Sequence, residues 1–212
     1  LSPALCPLPS ALCPLPPVLR LNHWTKGCFS ATNQAAMTKV VDLQEYRKKS
    51  VEQKGFGAWQ KRFGEAFDSA THLADLSDKT LYYMAQPGEP SSIAYYEVIM
   101  GVLGLGPAIK FHYLANADQM RVVDLHLFLA DQIRFEMMRR LKWIAGFEGQ
   151  NYGILEMVQQ FDSVKEKCRV NPPELAESNS DFAEYNQLTP GDKEVFIRRM
   201  LQEALEAFRK RR

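Results

Sequence analysis

Past residue 36 the chain holds a single cysteine, Cys168, and this scarcity removes several chemistries at once. One thiol closes no internal disulfide, and without a Cys-x-x-Cys pair there is no local signal for structural zinc or dithiol redox work. A reducing, cytoplasmic setting is the compartment such usage predicts. Charge of one sign is equally scarce: 26 basic and 25 acidic residues leave a formal +1. A balance of this kind exerts no long-range pull on phosphate backbones or anionic lipid. No stretch reaches the ~18 uninterrupted apolar residues of a membrane-spanning helix. Nor is there a β-branched run alternating with period two, so the fold class predicted is all-α. The G-x-S-x-G elbow, the His-Glu-x-x-His zinc motif and the Glu-x-x-His pair of di-iron bundles are all missing.

The first 36 residues differ in kind from the rest. They contain no acidic residue, three of the four cysteines (Cys6, Cys13, Cys28), and an exact direct repeat, ALCPLP at 4–9 and again at 11–16. Prolines at 3, 7, 9, 14, 16 and 17 interrupt every apolar run, which argues against a secretory signal. The segment reads as a low-complexity prefix, either mistranslated sequence upstream of Met37 or a disordered tail. A transit peptide is the rival, carried by Arg20, Lys26, Ser30 and Thr32 and by the lack of acids. Residues 37–212 are then expected to form one helical domain, large enough to fold without staples.

Within that domain, periodicity predicts about five to seven helices. A short mixed arm covers Thr38–Ser50. The first strong helix is placed at Gly57–Leu76, where Trp59, Phe63, Phe67, Ala70 and Leu73 recur at three- and four-residue steps. Ser77 caps a short helix to Ala85, stopped by the Gln86–Pro90 segment. Ser91 or Ser92 caps a helix from Ile93 to Leu103. The longest periodic segment, 118–145, is apolar around nearly its whole circumference and is taken as the buried central helix. Ile154–Cys168 is amphipathic, 171–188 is a surface loop with one turn near Phe182–Tyr185, and Thr189-Pro190-Gly191-Asp192 opens the last helix.

Four constellations are candidates for function. Asp68, His72 and Asp75, at i, i+4 and i+7 of the first strong helix, share a face and offer a conceivable divalent-metal set. That face lies opposite the aromatic stripe, so a solvated charged surface accounts for it as well, and no metal or other cofactor is expected. Glu97, His112, His126, Asp131 and Arg134 are the candidate catalytic or ligand-binding group, if they converge in an interior polar pocket. The plainer alternative pairs Asp131 with Arg134 and Glu136 with Arg140, and leaves His126 as a satisfied core histidine. Gly101–Gly106 reads G-x-x-G-x-G, better explained by close helix packing and a helix stop than by a phosphate loop. The basic cluster Arg209, Lys210, Arg211, Arg212 is the one candidate nucleic-acid contact, and it also suits the negative end of a helix dipole.

The function expected is correspondingly broad. A soluble helical protein acting through an unidentified protein partner, or through self-association, is the leading reading, because aromatic- and methionine-bearing helices can present an apolar groove. The enzyme or small-ligand bundle is the alternative, weak nucleic-acid binding the second, and membrane association is not expected.

Overall fold

The structure is a computed structural model that describes residues 43–211. The expectations for residues 1–36, the beginning of the predicted arm and Arg212 lie outside the described residues. The described chain is all-α. Its helices are α1 (Leu43–Phe63), α2 (Asp78–Ala85), α3 (Glu89–Leu103), α4 (Asn116–Arg140), α5 (Ile154–Gln159), α6 (Phe161–Val170), α7 (Phe182–Tyr185) and α8 (Pro190–Arg211). Short 3-10 turns occupy Leu73–Asp75, Ala108–Tyr113 and Glu148–Asn151. Among the described residues the only β pairing is two isolated bridges, His72 with Gly153 and Ile144 with Leu175.

The first helix departs from its predicted bounds. The described part of the arm is its opening turns, and it ends at Phe63 rather than Leu76. Gly64 stops it by taking φ 72°, a left-handed conformation that glycine adopts without a Cβ penalty. Phe67, Leu73 and Leu76 remain buried, but they reach the core from an irregular segment. The apolar spacing therefore continued past the point where the backbone ceased to be helical.

α1 and α3 run antiparallel in close contact. Trp59 is buried on α1, and its Nε1–H donates to the Ala94 carbonyl at 2.7 Å. Gly101 makes the approach possible, since a Cβ there would overlap the Lys54 carbonyl. Three residues on, Gly104 at φ 71° ends α3, with its own N–H bonded to Gly101 O and the Leu105 N–H to Met100 O. Both roles are those predicted for the glycine run. At its other end α3 begins earlier than predicted, at Glu89 behind Gly88, because proline is tolerated in the first helical turn. The Ser91 hydroxyl turns back to donate to Gln86 O and Gly88 O.

α4 packs against α2, α3 and α8 and organises the fold. Its bounds are 116–140 instead of 118–145, and it closes in a Schellman arrangement: Trp143 N–H to Met138 O, Lys142 N–H to Arg139 O, with Lys142 at φ 63°. Leu125, Leu129, Ile133, Met137 and Met138 are buried, but Met120 and Leu127 are exposed. The helix is thus amphipathic in its first half and enclosed only in its second.

That enclosed half carries the main ionic network. Glu136 has no exposed surface and accepts from Arg139 Nη2 and Nε, each at 2.7 Å, and from Arg140 Nε at 2.8 Å. Arg140 also donates to Asp78 at 2.6 Å and to the carbonyls of Ala74 and Leu76 at 2.9 and 2.8 Å. A buried carboxylate is tolerable only when so compensated. The predicted Glu136–Arg140 pair is present, and its larger effect is to tie the 3-10 turn before α2 to the end of α4.

Candidate functional site

A groove of about 970 Å³ opens between α1, α3 and the 3-10 turn Ala108–Tyr113. Its wall from α3 is Ser92, Ile93, Tyr96 and Glu97, one helical face exposed because α1 covers the adjacent one. The opposite wall comes from Ala108, Ile109, Phe111 and His112. Gly104 and Gly106, both with positive φ, fold the chain back so that this turn faces the helix it follows.

The interior is aromatic. Tyr96 stacks on Phe111 with ring centroids 4.5 Å apart and planes 24° from parallel, and it meets the edge of His126 at 5.5 Å. Burial raises the Tyr96 phenol above its ordinary value, so it stays a neutral donor. At the rim Ile109 is 84% exposed. Lys54 and Glu89 border the groove at its two ends, and neither makes an ion pair among the described residues.

The five candidate polar groups do not converge here. Glu97 and His112 line the groove; His126, Asp131 and Arg134 do not. Glu97 meets Arg62, at 2.7 Å through Nη2 and 3.3 Å through Nε, rather than Arg134 or His126. That hydrogen bond raises the guanidinium pKa further. His112 is exposed, with its ring edge-on to Phe111 at 5.3 Å. His126 lies half-buried under Tyr95, 4.6 Å between centroids, and burial, then the charge of Arg134, holds its pKa below the ordinary imidazole value. Asp131 contacts Arg134 at 3.5 Å and Arg198 of α8 at 3.4 Å. Burial raises its carboxyl pKa, only partly countered by the two arginines. The predicted Asp131–Arg134 pair is therefore present, and it serves the α4–α8 contact.

The presumed metal face is corrected by the end of α1. Asp68, His72 and Asp75 lie beyond Phe63 and share no helical face. Asp68 Oδ1 accepts from the Ala70 N–H at 2.9 Å and the Thr71 hydroxyl at 3.1 Å. Asp75 accepts from the His72 N–H at 2.8 Å, and His72 Nδ1 lies 3.3 Å from the Gln150 carbonyl, which can only accept. The two aspartates make turn-forming bonds and His72 meets a distant loop, and no group of three metal-ligating side chains occurs among the described residues.

The basic cluster is also partly engaged. Arg209 pairs with Glu206 at 2.7 Å, and Arg211 donates to the Arg140 carbonyl at the end of α4. Lys210 is exposed. Cys168 is half-buried, its thiol pushed up to about 11 by burial and the charge of Glu148, which keeps it protonated and a poor nucleophile at neutral pH. No helix among the described residues is long and apolar enough to cross a membrane.

Sequence reasoning missed most of the groove wall: Lys54, Ile93, Tyr96, Ile109 and Phe111. The available signal was the Tyr95-Tyr96 doublet, since adjacent helical positions point about 100° apart and only one ring can enter a core. Tyr95 is the buried one, its hydroxyl bonded to Met84 O at 3.0 Å. No protein-family model, curated protein or solved structure matches this chain.

Proposed function

We propose that this protein works by binding a polypeptide partner in the groove between α3 and the 3-10 turn Ala108–Tyr113. The observation that carries the reading is Ile109, 84% exposed at the edge of a groove whose floor is the stacked pair Tyr96 and Phe111. An apolar cleft with an exposed apolar side chain at its edge is a common form of binding site. The width of a groove along one helix suits the apolar face of a second helix, whose i, i+3, i+4 anchors would fill it. Glu97 is already paired with Arg62, so a partner covering it would not leave a lone buried carboxylate.

A photo-crosslinking amino acid placed at Ile109 tests this, with the same group at the exposed Val170 of α6 as control. The expected result is an adduct with a polypeptide at 109, not at 170, that disappears in the Ile93→Asp background. Equal labelling at both positions, or none at 109, overturns the reading.

A further inference from the structure

The groove reading leaves its occupant open, and the charges at the two ends narrow the choice. Glu89 begins α3, and Lys54 sits beside Gly101 near its end, 12 residues or roughly 18 Å further along the helix axis. Both border the groove, one acidic and one basic, without an ion-pair partner among the described residues. A surface whose two ends carry opposite unpaired charges is complementary to itself after a half-turn. Resting on the reading above, we propose that the occupant is a second copy of this chain, packed across a twofold axis with the two α3 helices antiparallel. Each Glu89 then faces the other copy's Lys54, and the contact is made twice.

Two further features fit such an axis. A twofold sets residues near the middle of the groove against their own counterparts, so an unpaired charge there is repelled. The charged residue nearest the middle is Glu97, and it is the one groove acid with a bidentate arginine, Arg62, on its own chain. An isologous contact also requires knob and hole on one patch. Ile109 projects from the rim beside the groove that the other copy's Ile109 would enter. Sheet-edge pairing has no role here, and the near-neutral net charge sets up no general repulsion between copies.

Sedimentation equilibrium of the full chain over a range of concentrations tests this directly. The wild type is expected to approach twice the chain mass. Lys54→Glu and Glu89→Lys are each expected to weaken dimerisation by about tenfold or more, while the K54E/E89K double variant recovers to within a few-fold of wild type. Both positions are exposed, and circular dichroism of each variant confirms that the fold is retained. A chain that stays monomeric, a dimer indifferent to either single reversal, or a double variant no better than the singles overturns the proposal. If the chain is monomeric and a different polypeptide is still captured from position 109, the groove reading stands and only the second-copy assignment falls.

Discussion

Glu136 shows how a single side chain binds distant parts of this chain together. Its two oxygens take three hydrogen bonds from Arg139 and Arg140, and Arg140 in turn satisfies carbonyls of the turn before α2. Removing the carboxylate takes away the partner of Arg139, which is partly open to solvent, and one partner of Arg140, which keeps Asp78 and the turn carbonyls. Glu136→Ala is therefore expected to cost about 1–3 kcal/mol in urea unfolding, and a loss below about 0.5 kcal/mol would mean the network contributes little. Lys142 is the opposite case, a side chain held at φ 63° where glycine is preferred. Lys142→Gly is expected to stabilise by about 0.5–1 kcal/mol, because relief of the left-handed strain exceeds the added unfolded-state entropy. His126 sets the response to acid. Its folded pKa lies below the ordinary 6.5, so as pH falls through that value the unfolded chain takes up a proton first and stability declines. His126→Phe is expected to flatten the dependence of stability on pH just below 6.5, whereas an unchanged slope would contradict the assignment. Glu65 acts lower. Burial pushes it up, but hydrogen bonds from Ser77 and Thr80 outweigh this and hold it below 4.5, so its contribution is lost only as pH falls through that lower value.

At the level of elements, the helix stops decide the site. α3 can lie against α1 because Gly101 has no side chain, and Gly104 then reverses the chain to build the opposite wall of the groove. Gly101→Ala is expected to force the helices apart and cost about 1–3 kcal/mol, measurable as a lower denaturation midpoint with an unchanged slope. Gly104 and Gly106 have open space where a Cβ would sit, so their substitution strains the turn without displacing a neighbour. Much of this was legible in the chain. The glycine run, the Ser77 cap with its 3.1 Å bond to Thr80 N, the turn at Phe182–Tyr185, and the Thr189/Asp192 cap of α8 all follow from local chemistry, and local chemistry survives folding. What could not be read were partners far along the chain. Glu97 was evident as a carboxylate in an apolar helix, but Arg62, 35 residues earlier, is brought to it only by the packing of α1. The error at Gly64 has the same origin, since Phe67 and Leu73 are buried whether or not the segment that carries them is helical.

For the whole molecule, the fold depends on the second half of α4 and leaves the groove rim outside the core. Leu129, 2% exposed, is expected to cost about 2–5 kcal/mol on truncation to alanine. The rim residues should behave differently: Ile109 is held up to solvent by a turn whose own bonds do not involve its side chain. Its apolar surface is then surplus to folding, the condition that the proposed groove function requires. The most direct measurement is the unfolding free energy of Ile109→Asp at a concentration dilute enough to keep copies apart. The expected change is within about 0.5 kcal/mol of wild type, as for a surface site. A loss above about 1.5 kcal/mol would show that Ile109 belongs to the core, and the groove would then be a seam of the fold rather than a place for a partner.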